Sequence, residues 1–315
     1  MSSSATAPST SSTSSSPNAK DQPSEMVRVP SNVVRVLMLP GYTQNATIFK
    51  GRMGAIKRSL PASVELVFAF LHQTHVVDMP TNSSADFDSS ATSNSDSPET
   101  TPRCWWYAEE KEGYRHFAKM DETLEYLREF IITQGPFDGC WGFSQGKTTL
   151  GSWAEQQNIS LMLITLPAGA ACAAILTALV ENPSLHPIFA RDGPNWPPAP
   201  FKFSILSAGF MPQDPTMAKL FDKPLHTPTV HVLGRADTIV SNDRSTPLAE
   251  AFVDARVEWH EGGHHTPSKA SWRHFFKHYL ELFGLDGPGK EGIDSLPSPS
   301  FGTSSGTATP EGGRL

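Results

Sequence analysis

The segment FDGCWGFSQGKTTLG, residues 137–151, decides how the rest of the chain is interpreted. Its centre, GFSQG, has the form G-x-S-x-G, the pattern of a sharp strand-to-helix turn that presents a serine as a nucleophile. The pattern is short and occurs by chance in ordinary turns, so it gains weight only from its context. Residues 137–143 predict a short, mostly apolar strand before Ser144, although Asp138 and Gly139 weaken this prediction. Small residues at Gly142 and Gly146 would let that strand and the following helix approach closely.

A serine becomes a useful nucleophile only when a base, held by a third group, can take its proton. In α/β hydrolases the three residues follow in the order serine, acid, histidine. Asp237 stands directly after the apolar run VHVLG, and His264 follows two glycines after the next apolar run. Each would lie at the carboxyl edge of a parallel sheet. Ser144, Asp237 and His264 are therefore the candidate catalytic residues.

Neighbouring residues compete with this assignment. Asp243 is a rival acid deeper in the same loop, and His265 is a rival base directly after His264. The histidines at 260, 264 and 265 could also suggest a metal site, but no carboxylate or cysteine joins them at ligand spacing. We therefore expect neither a metal nor an organic cofactor.

Acyl transfer also needs backbone N–H groups that stabilise the negative charge developing on the carbonyl oxygen. One donor should be the residue after the nucleophile, Gln145. The other should come from the loop after the first strand, PGYTQN at residues 40–45. Tyr42 is the expected donor in that loop.

Along the middle of the chain, apolar runs alternate with segments whose apolar residues recur at helical spacing. Near-continuous apolar runs that end at turn residues are typical of buried parallel strands. The predicted strands are residues 33–40, 64–70, 137–143, 201–210, 228–237 and 257–263, and the predicted helices are residues 114–132 and 272–283. This order predicts an α/β fold with a mostly parallel sheet and helices on both faces.

Three polar segments contain too few apolar residues to build a core. Residues 1–32 and 287–315 are predicted to be disordered tails, and residues 79–103 a low-complexity insertion. The domain between the tails, residues 33–286, is the predicted hydrolase domain.

Charge and cysteine content exclude several classes. The net charge of −7 argues against nucleic-acid binding, which usually requires a basic face. The three cysteines provide no disulfide framework, which favours a cytoplasmic location, with the nucleus as a second compartment. Residues 156–180 carry no charge and could span a bilayer, but Pro167 and Gly169 interrupt the run and favour a buried strand and helix. We expect no membrane span, and the sequence leaves the oligomeric state open.

Five separated motifs together resemble the FSH group, a family of serine hydrolases. They are PGYTQN, RCWWYAEE, GPFDGCWGFSQG, GRADTIVSNDRS and EGGHH, in this order along residues 33–283. The resemblance implies an α/β-hydrolase fold and the hydrolysis of an ester or thioester. The implied substrate is a small-molecule or carrier-bound acyl compound. Carried over onto this chain, the resemblance implies a triad of Ser144, Asp237 and His264.

The chain departs from that family directly after the nucleophile. Family members continue GFSQG with a run of small residues, whereas here such a run, AACAAILTALVEN, begins only at Ala170. Residues 147–169 therefore look inserted, and one hypothesis is a retained intron or an error in the gene model. The competing hypothesis is a genuine helix at 147–158 followed by a strand at 160–166. An alternative function follows as well: a catalytically impaired hydrolase fold that serves as a binding module.

Overall fold

The computed structural model describes residues 1, 32–41, 44, 46–69, 75, 103–144, 169–300 and 313–314 of the 315-residue chain. Most of the tail predicted at 1–32 and nearly all of the insertion predicted at 79–103 lie outside these ranges. So do the helix predicted at 147–158, the strand predicted at 160–166 and the first part of the uncharged run at 156–180. In the described part of the chain, no helix is both long and apolar enough to cross a membrane.

A central sheet organises the described residues. The strands are β1 (Val34–Leu39), β2 (Val64–Phe68), β3 (Tyr107–Lys111), β4 (Tyr114–Ala118), β5 (Gly139–Phe143), β6 (Phe203–Ser207), β7 (Thr229–Gly234), β8 (Arg256–His260) and β9 (Gly313–Arg314). The large sheet has the order β2-β1-β5-β6-β7-β8-β9. Its pairs are parallel except for the short β9, which runs antiparallel to β8. Strands β3 and β4 form a separate antiparallel hairpin.

Helices cover both faces of this sheet. The helices are α1 (Ala46–Arg52), α2 (Gly54–Lys57), α3 (Met120–Gln134), α4 (Gly169–Glu181), α5 (Pro215–Ala218), α6 (Asn242–Glu250) and α7 (Ala270–Glu281). Short 3₁₀ helices occur at Pro183–Leu185, Lys219–Phe221 and Gly289–Ser295.

Strand β1 shows why two cores form. Successive side chains of a strand point to opposite faces. Val36 and Met38 pack with α1, α2 and α7 on one face, while Leu37 and Leu39 pack with α3 and α4 on the other. All six residues of β1 are buried, as expected for a parallel strand covered on both sides. The predicted α/β-hydrolase fold, with a mostly parallel sheet between two helical layers, is confirmed.

The strand order also sets where the functional loops meet. The chain runs from β1 outward to β2 and later returns to β5 on the opposite side of β1. Ligands in such sheets bind beyond the carboxyl ends of the strands where the order reverses. Because Leu39 is paired with Gly142, the loop that starts at Pro40 lies beside Ser144.

The helix predicted at 114–132 was wrong over its first turns. Residues 114–118 form β4, which pairs with β3 through a tight turn at Glu112 and Gly113, both with positive φ. The N–H of Phe117 donates to Asp214 Oδ2 at 2.8 Å, a contact almost a hundred residues away in the chain. Aromatic residues suit strands as well as helices, so this distant contact decides between the two. The helix α3 begins only at Met120.

The tail predicted from residue 287 was also wrong in its first half, because the packed domain extends to residue 300. Ile293 is only 2% exposed. Arg256, which forms a 2.6 Å ion pair with the buried Glu258, donates to the carbonyl oxygens of Ile293 and Leu296. Ser298 Oγ donates to the second carboxylate oxygen of Glu258 at 2.6 Å. A short polar segment is held here because it completes the hydrogen bonds of a buried ion pair.

We predict that truncation after Gly287 lowers the free energy of unfolding by about 2–4 kcal/mol, because Arg256 and Glu258 would lose hydrogen-bond partners and the buried side chain of Ile293 would be removed from the core. Urea unfolding followed by tryptophan fluorescence measures this. Truncation after Ser300 is the matched control and should cost much less. Equal stabilities of the two truncated chains would contradict the role given to residues 288–300.

Candidate active site

Ser144 lies directly after β5 and is only 3% exposed. Its backbone N–H donates to the carbonyl oxygen of Ser207 at 3.0 Å, which continues the β5–β6 pairing by one residue. Helix α4 packs against β5 on the adjacent face. The serine therefore sits at the carboxyl edge of the sheet, next to the place where the strand order reverses.

Asp237 and His264 form a buried pair. Asp237 Oδ2 and His264 Nδ1 are 2.7 Å apart, and the two side chains are 3% and 4% exposed. The other carboxylate oxygen, Oδ1, accepts the backbone N–H groups of Ile239 and Val240 at 2.8 and 2.9 Å. Burial alone would raise the pKa of Asp237, but the hydrogen bond and charge of His264 and the two N–H donors outweigh it, so its pKa is lowered. The carboxylate is thus ionised and oriented at neutral pH.

Backbone hydrogen bonds join the loop after β7, which carries Asp237, to the loop after β8, which carries His264. The N–H of Arg235 donates to the carbonyl of His260 at 2.8 Å, and that of Ala236 donates to the carbonyl of Gly262 at 3.2 Å. A side chain at Gly234 would place its Cβ 2.5 Å from the carbonyl oxygen of Gly263. The loops after β7 and β8 can therefore approach only because Gly234 has no side chain. The glycines after β8 were noticed in the sequence, but their fit against Gly234 depends on tertiary structure.

The second ring nitrogen of His264, Nε2, differs from Nδ1 in its hydrogen bonding. Nε2 is buried and has no hydrogen-bond partner among the described residues. The imidazole ring lies beside Phe143, the residue before Ser144, with ring centroids 5.9 Å apart. The structure thus brings His264 to the end of β5 with one nitrogen bound to Asp237 and the other available.

The rival residues have different surroundings. Asp243 is exposed in the first turn of α6. His265 is exposed and its ring packs against His260 at a centroid distance of 4.8 Å. The acid–base contact therefore joins Asp237 to His264. In the described ranges, no three residues of the metal-ligating types are arranged to hold an ion.

The loop after β1 is braced on both sides of the expected oxyanion donor. The N–H of Gly41 donates to Gln44 Oε1 at 3.0 Å, and the N–H of Gln44 donates back to the carbonyl of Gly41 at 3.1 Å. Trp105 Nε1 donates to the carbonyl of Pro40 at 2.7 Å. The role of Gln44 was not predicted from the sequence, although its place in PGYTQN was the available signal. The two expected donors, Tyr42 and Gln145, lie outside the described residues.

The cysteines are not competing nucleophiles. Cys104, Cys140 and Cys172 are all buried and free. Burial raises the pKa of the Cys104 thiol to about 12 and raises the pKa of Cys140 and Cys172 as well. Since the thiolate is the reactive form, these thiols are inert at neutral pH.

The fold and the site together define an α/β-hydrolase with an acid–histidine pair beside a serine. The chain belongs to the family described as Serine hydrolase (FSH1), whose profile matches residues 30–276. Membership of this family supports hydrolase activity.

The chain is also similar to known proteins and to solved structures. The chain is 31% identical over 258 residues to Esterase OVCA2 of Mus musculus, covering 79% of this chain and 96% of that protein. It is 29% identical over 259 residues to Esterase OVCA2 of Danio rerio, covering 79% and 97%. Among solved structures, acyl-protein thioesterase 2 of Zea mays is similar, with a TM-score of 0.47 and 13% identity over 81% of this chain and 95% of that one.

The pH dependence of stability should reflect His260, which neighbours the site. Its Nδ1 accepts the N–H of Gly262, and burial, followed by repulsion from His265, lowers its pKa from 6.5 to about 4. Above pH 6.5 the histidine is neutral in both the folded and the unfolded chain, and its contribution to the free energy of unfolding is fully present. As the pH falls from 6.5 toward 4, the unfolded chain binds the proton and the folded chain does not, so this contribution is lost.

We predict that His260 contributes a loss of about 1–2 kcal/mol in the free energy of unfolding between pH 7 and pH 5. Denaturant titrations at several pH values measure the slope. The variant His260→Gln should make the slope shallower by that amount, whereas His278→Gln, at a more exposed histidine on α7, should not. A slope unchanged by His260→Gln would refute the assignment.

Proposed function

We propose that this protein is a serine esterase or thioesterase that cleaves the ester or thioester of a small or medium acyl group through Ser144, His264 and Asp237. The observation that carries the proposal is the buried 2.7 Å contact between His264 Nδ1 and Asp237 Oδ2, with the imidazole ring beside Phe143 at the end of β5. That contact leaves Nε2 as the one ring nitrogen able to act on Ser144.

In the proposed first step, Ser144 Oγ attacks the carbonyl carbon while His264 Nε2 accepts the hydroxyl proton. The tetrahedral intermediate then collapses, and the imidazolium gives that proton to the departing alcohol or thiol. The acyl group remains as an ester on Ser144. Water, deprotonated by the same Nε2, attacks this ester; the imidazolium returns the proton to Ser144 Oγ as the acyl–oxygen bond breaks, which releases the acid and the free serine.

Asp237 acts through the histidine. Its Oδ2 accepts the Nδ1–H of His264, which selects the tautomer with an unprotonated Nε2 and stabilises the imidazolium that forms. The two backbone donors on Oδ1 hold the carboxylate plane, so the imidazole is held in turn. The lowered pKa of Asp237 keeps this group ionised throughout the physiological range.

The negative charge that develops on the carbonyl oxygen is stabilised by two backbone N–H groups in this proposal. They are those of Tyr42 and Gln145, the donors predicted from the sequence. The described part of the β1 loop supports this, because the mutual hydrogen bonds of Gly41 and Gln44 constrain the loop on either side of Tyr42. The steps draw only on residues of this chain.

The leaving group is the open question within this proposal. The relatives named esterases favour oxygen esters, and the FSH resemblance also fits thioesters. Comparing p-nitrophenyl acetate and butyrate with the matching acyl-coenzyme A thioesters would rank the two classes by kcat/KM. The intracellular location proposed from the cysteine content fits either class.

We predict that a fluorophosphonate probe labels the purified protein and that Ser144→Ala abolishes the labelling, because the probe forms a covalent bond with an activated serine. In-gel fluorescence measures it, and circular dichroism checks that both proteins are folded. Labelling that survives Ser144→Ala would place the nucleophile elsewhere. A folded wild-type chain that takes no label and hydrolyses no ester would favour the binding-module alternative.

We also predict that Asp237→Asn lowers kcat by about 10³–10⁴-fold, because the amide favours the wrong histidine tautomer. The matched control is Asp243→Asn, which changes an exposed carboxylate in the first turn of α6 and should leave kcat nearly unchanged. Steady-state hydrolysis of a p-nitrophenyl ester measures both. Equal losses in the two variants would contradict the role of Asp237.

A further inference from the structure

Two glycines are candidates for the second glycine of the nucleophile elbow. In a nucleophile elbow, the glycine after the serine lies where the first turn of the helix presses on the strand edge. Gly146 completes the G-x-S-x-G pattern, whereas Gly169 is the first residue of α4, the helix that packs against β5. The space around Gly169 shows which of the two has the surroundings of an elbow glycine.

Gly169 has no room for a side chain. A Cβ there would collide with the carbonyl oxygen of Pro40 and would lie 2.5 Å from that of Leu39 and 2.7 Å from that of Phe143. Real Cβ atoms essentially never come within 3.0 Å of another heavy atom. The three oxygens belong to the ends of β1 and β5, the two strands that meet where the strand order reverses. One of them belongs to the residue directly before Ser144.

Gly142 shows the same contact from the side of the strand. A Cβ at this position would collide with the carbonyl oxygen of Gly169 and would lie 2.6 Å from Ala173 Cβ and 2.7 Å from Ala170 Cα. Gly142 and Gly169 are therefore the two sides of one close approach between β5 and α4. That is the relation expected of the first and second glycines of an elbow.

The residues after Gly169 have the composition this position requires. The run Ala170–Ala174 is completely buried, and its small side chains let the helix lie close to the sheet. Gly209, after β6, would also bring a Cβ within 3.4 Å of Ala170 Cβ. The first turn of α4 is thus enclosed by the ends of β1, β5 and β6.

We propose that Gly169, and not Gly146, is the second glycine of the nucleophile elbow, and that the elbow does not require residues 146–168. Removing residues 146–168 joins Gln145 to Gly169 and gives the sequence GFSQGAACAA. Removing residues 147–169 gives the same chain, because a glycine stands at each end of the segment. Gly169 acts here as a positioning residue for the serine. Its effect on catalysis rests on the proposed function, whereas its packing role does not.

The first test is the full-length chain lacking residues 146–168. The deletion variant should fold and should melt no lower than the wild type, because every contact of α4 with the sheet is retained. Its kcat on p-nitrophenyl butyrate should be equal or higher, with KM within about twofold. A deletion variant that aggregates, or melts about 5 °C or more below the wild type, would overturn the proposal.

The second test compares Gly169→Ala with the matched variant Gly146→Ala in the full chain. Gly169→Ala should lower the melting temperature by about 5 °C or more and reduce kcat more than it changes KM, since the methyl group pushes α4 away from the serine. Gly146→Ala should leave both values close to those of the wild type. The opposite ranking would overturn the proposal. If Gly169→Ala does not fold while Gly146→Ala does, the expected ranking is obtained in its strongest form.

The outcomes also separate this inference from the proposed function. If wild type and deletion variant are both folded but neither reacts with the fluorophosphonate probe, the proposed function fails. The melting temperatures of the three variants then still decide the assignment of Gly169.

Discussion

The close approach of Gly142 on β5 to Gly169 on α4 is the constraint on which the rest of this structure depends. It brings the backbone of a buried helix against the ends of the two strands that meet where the sheet order reverses. Any side chain at either glycine would displace the helix, since interiors at this density have no spare volume. Because Ser144 follows β5 directly, the same contact sets how far the serine lies from the helix and from the β1 loop.

The charge of each buried group near the site depends on whether hydrogen bonds replace the water that burial removes. Asp237 is buried but accepts two backbone N–H groups and one imidazole N–H, so it stays charged. His260 is buried against His265 and Trp272, and burial, followed by repulsion from His265, lowers its pKa to about 4, so it is neutral at pH 7. Of these two histidines, which lie four residues apart, His264 binds the carboxylate of Asp237, whereas the ring of His260 packs against other rings. Asp237 and His260 differ in the atoms that replace the water removed by burial: N–H donors at Asp237, and aromatic rings at His260.

The larger elements could be predicted from the chain because their signals are local. Buried parallel strands give continuous apolar runs, and the strands at 34–39, 203–207 and 229–234 lie inside the predicted segments. Two segments failed because distant partners decide them. The strand at 114–118 depends on a hairpin and on Asp214, and residues 287–300 depend on the buried ion pair of β8.

The sequence by itself determined the order of Ser144, Asp237 and His264, and their places after apolar runs that had to become neighbouring strands. It favoured His264 over the rival His265 through the family resemblance, and it offered Gly146 as the second glycine of the G-x-S-x-G pattern, because contacts between distant segments cannot be read from a local pattern. Only the tertiary structure decided that Asp237 binds His264 and that Gly169 fills the space against β1 and β5. The physical reason is that a hydrogen bond and an excluded volume depend on atoms from strands far apart in the chain.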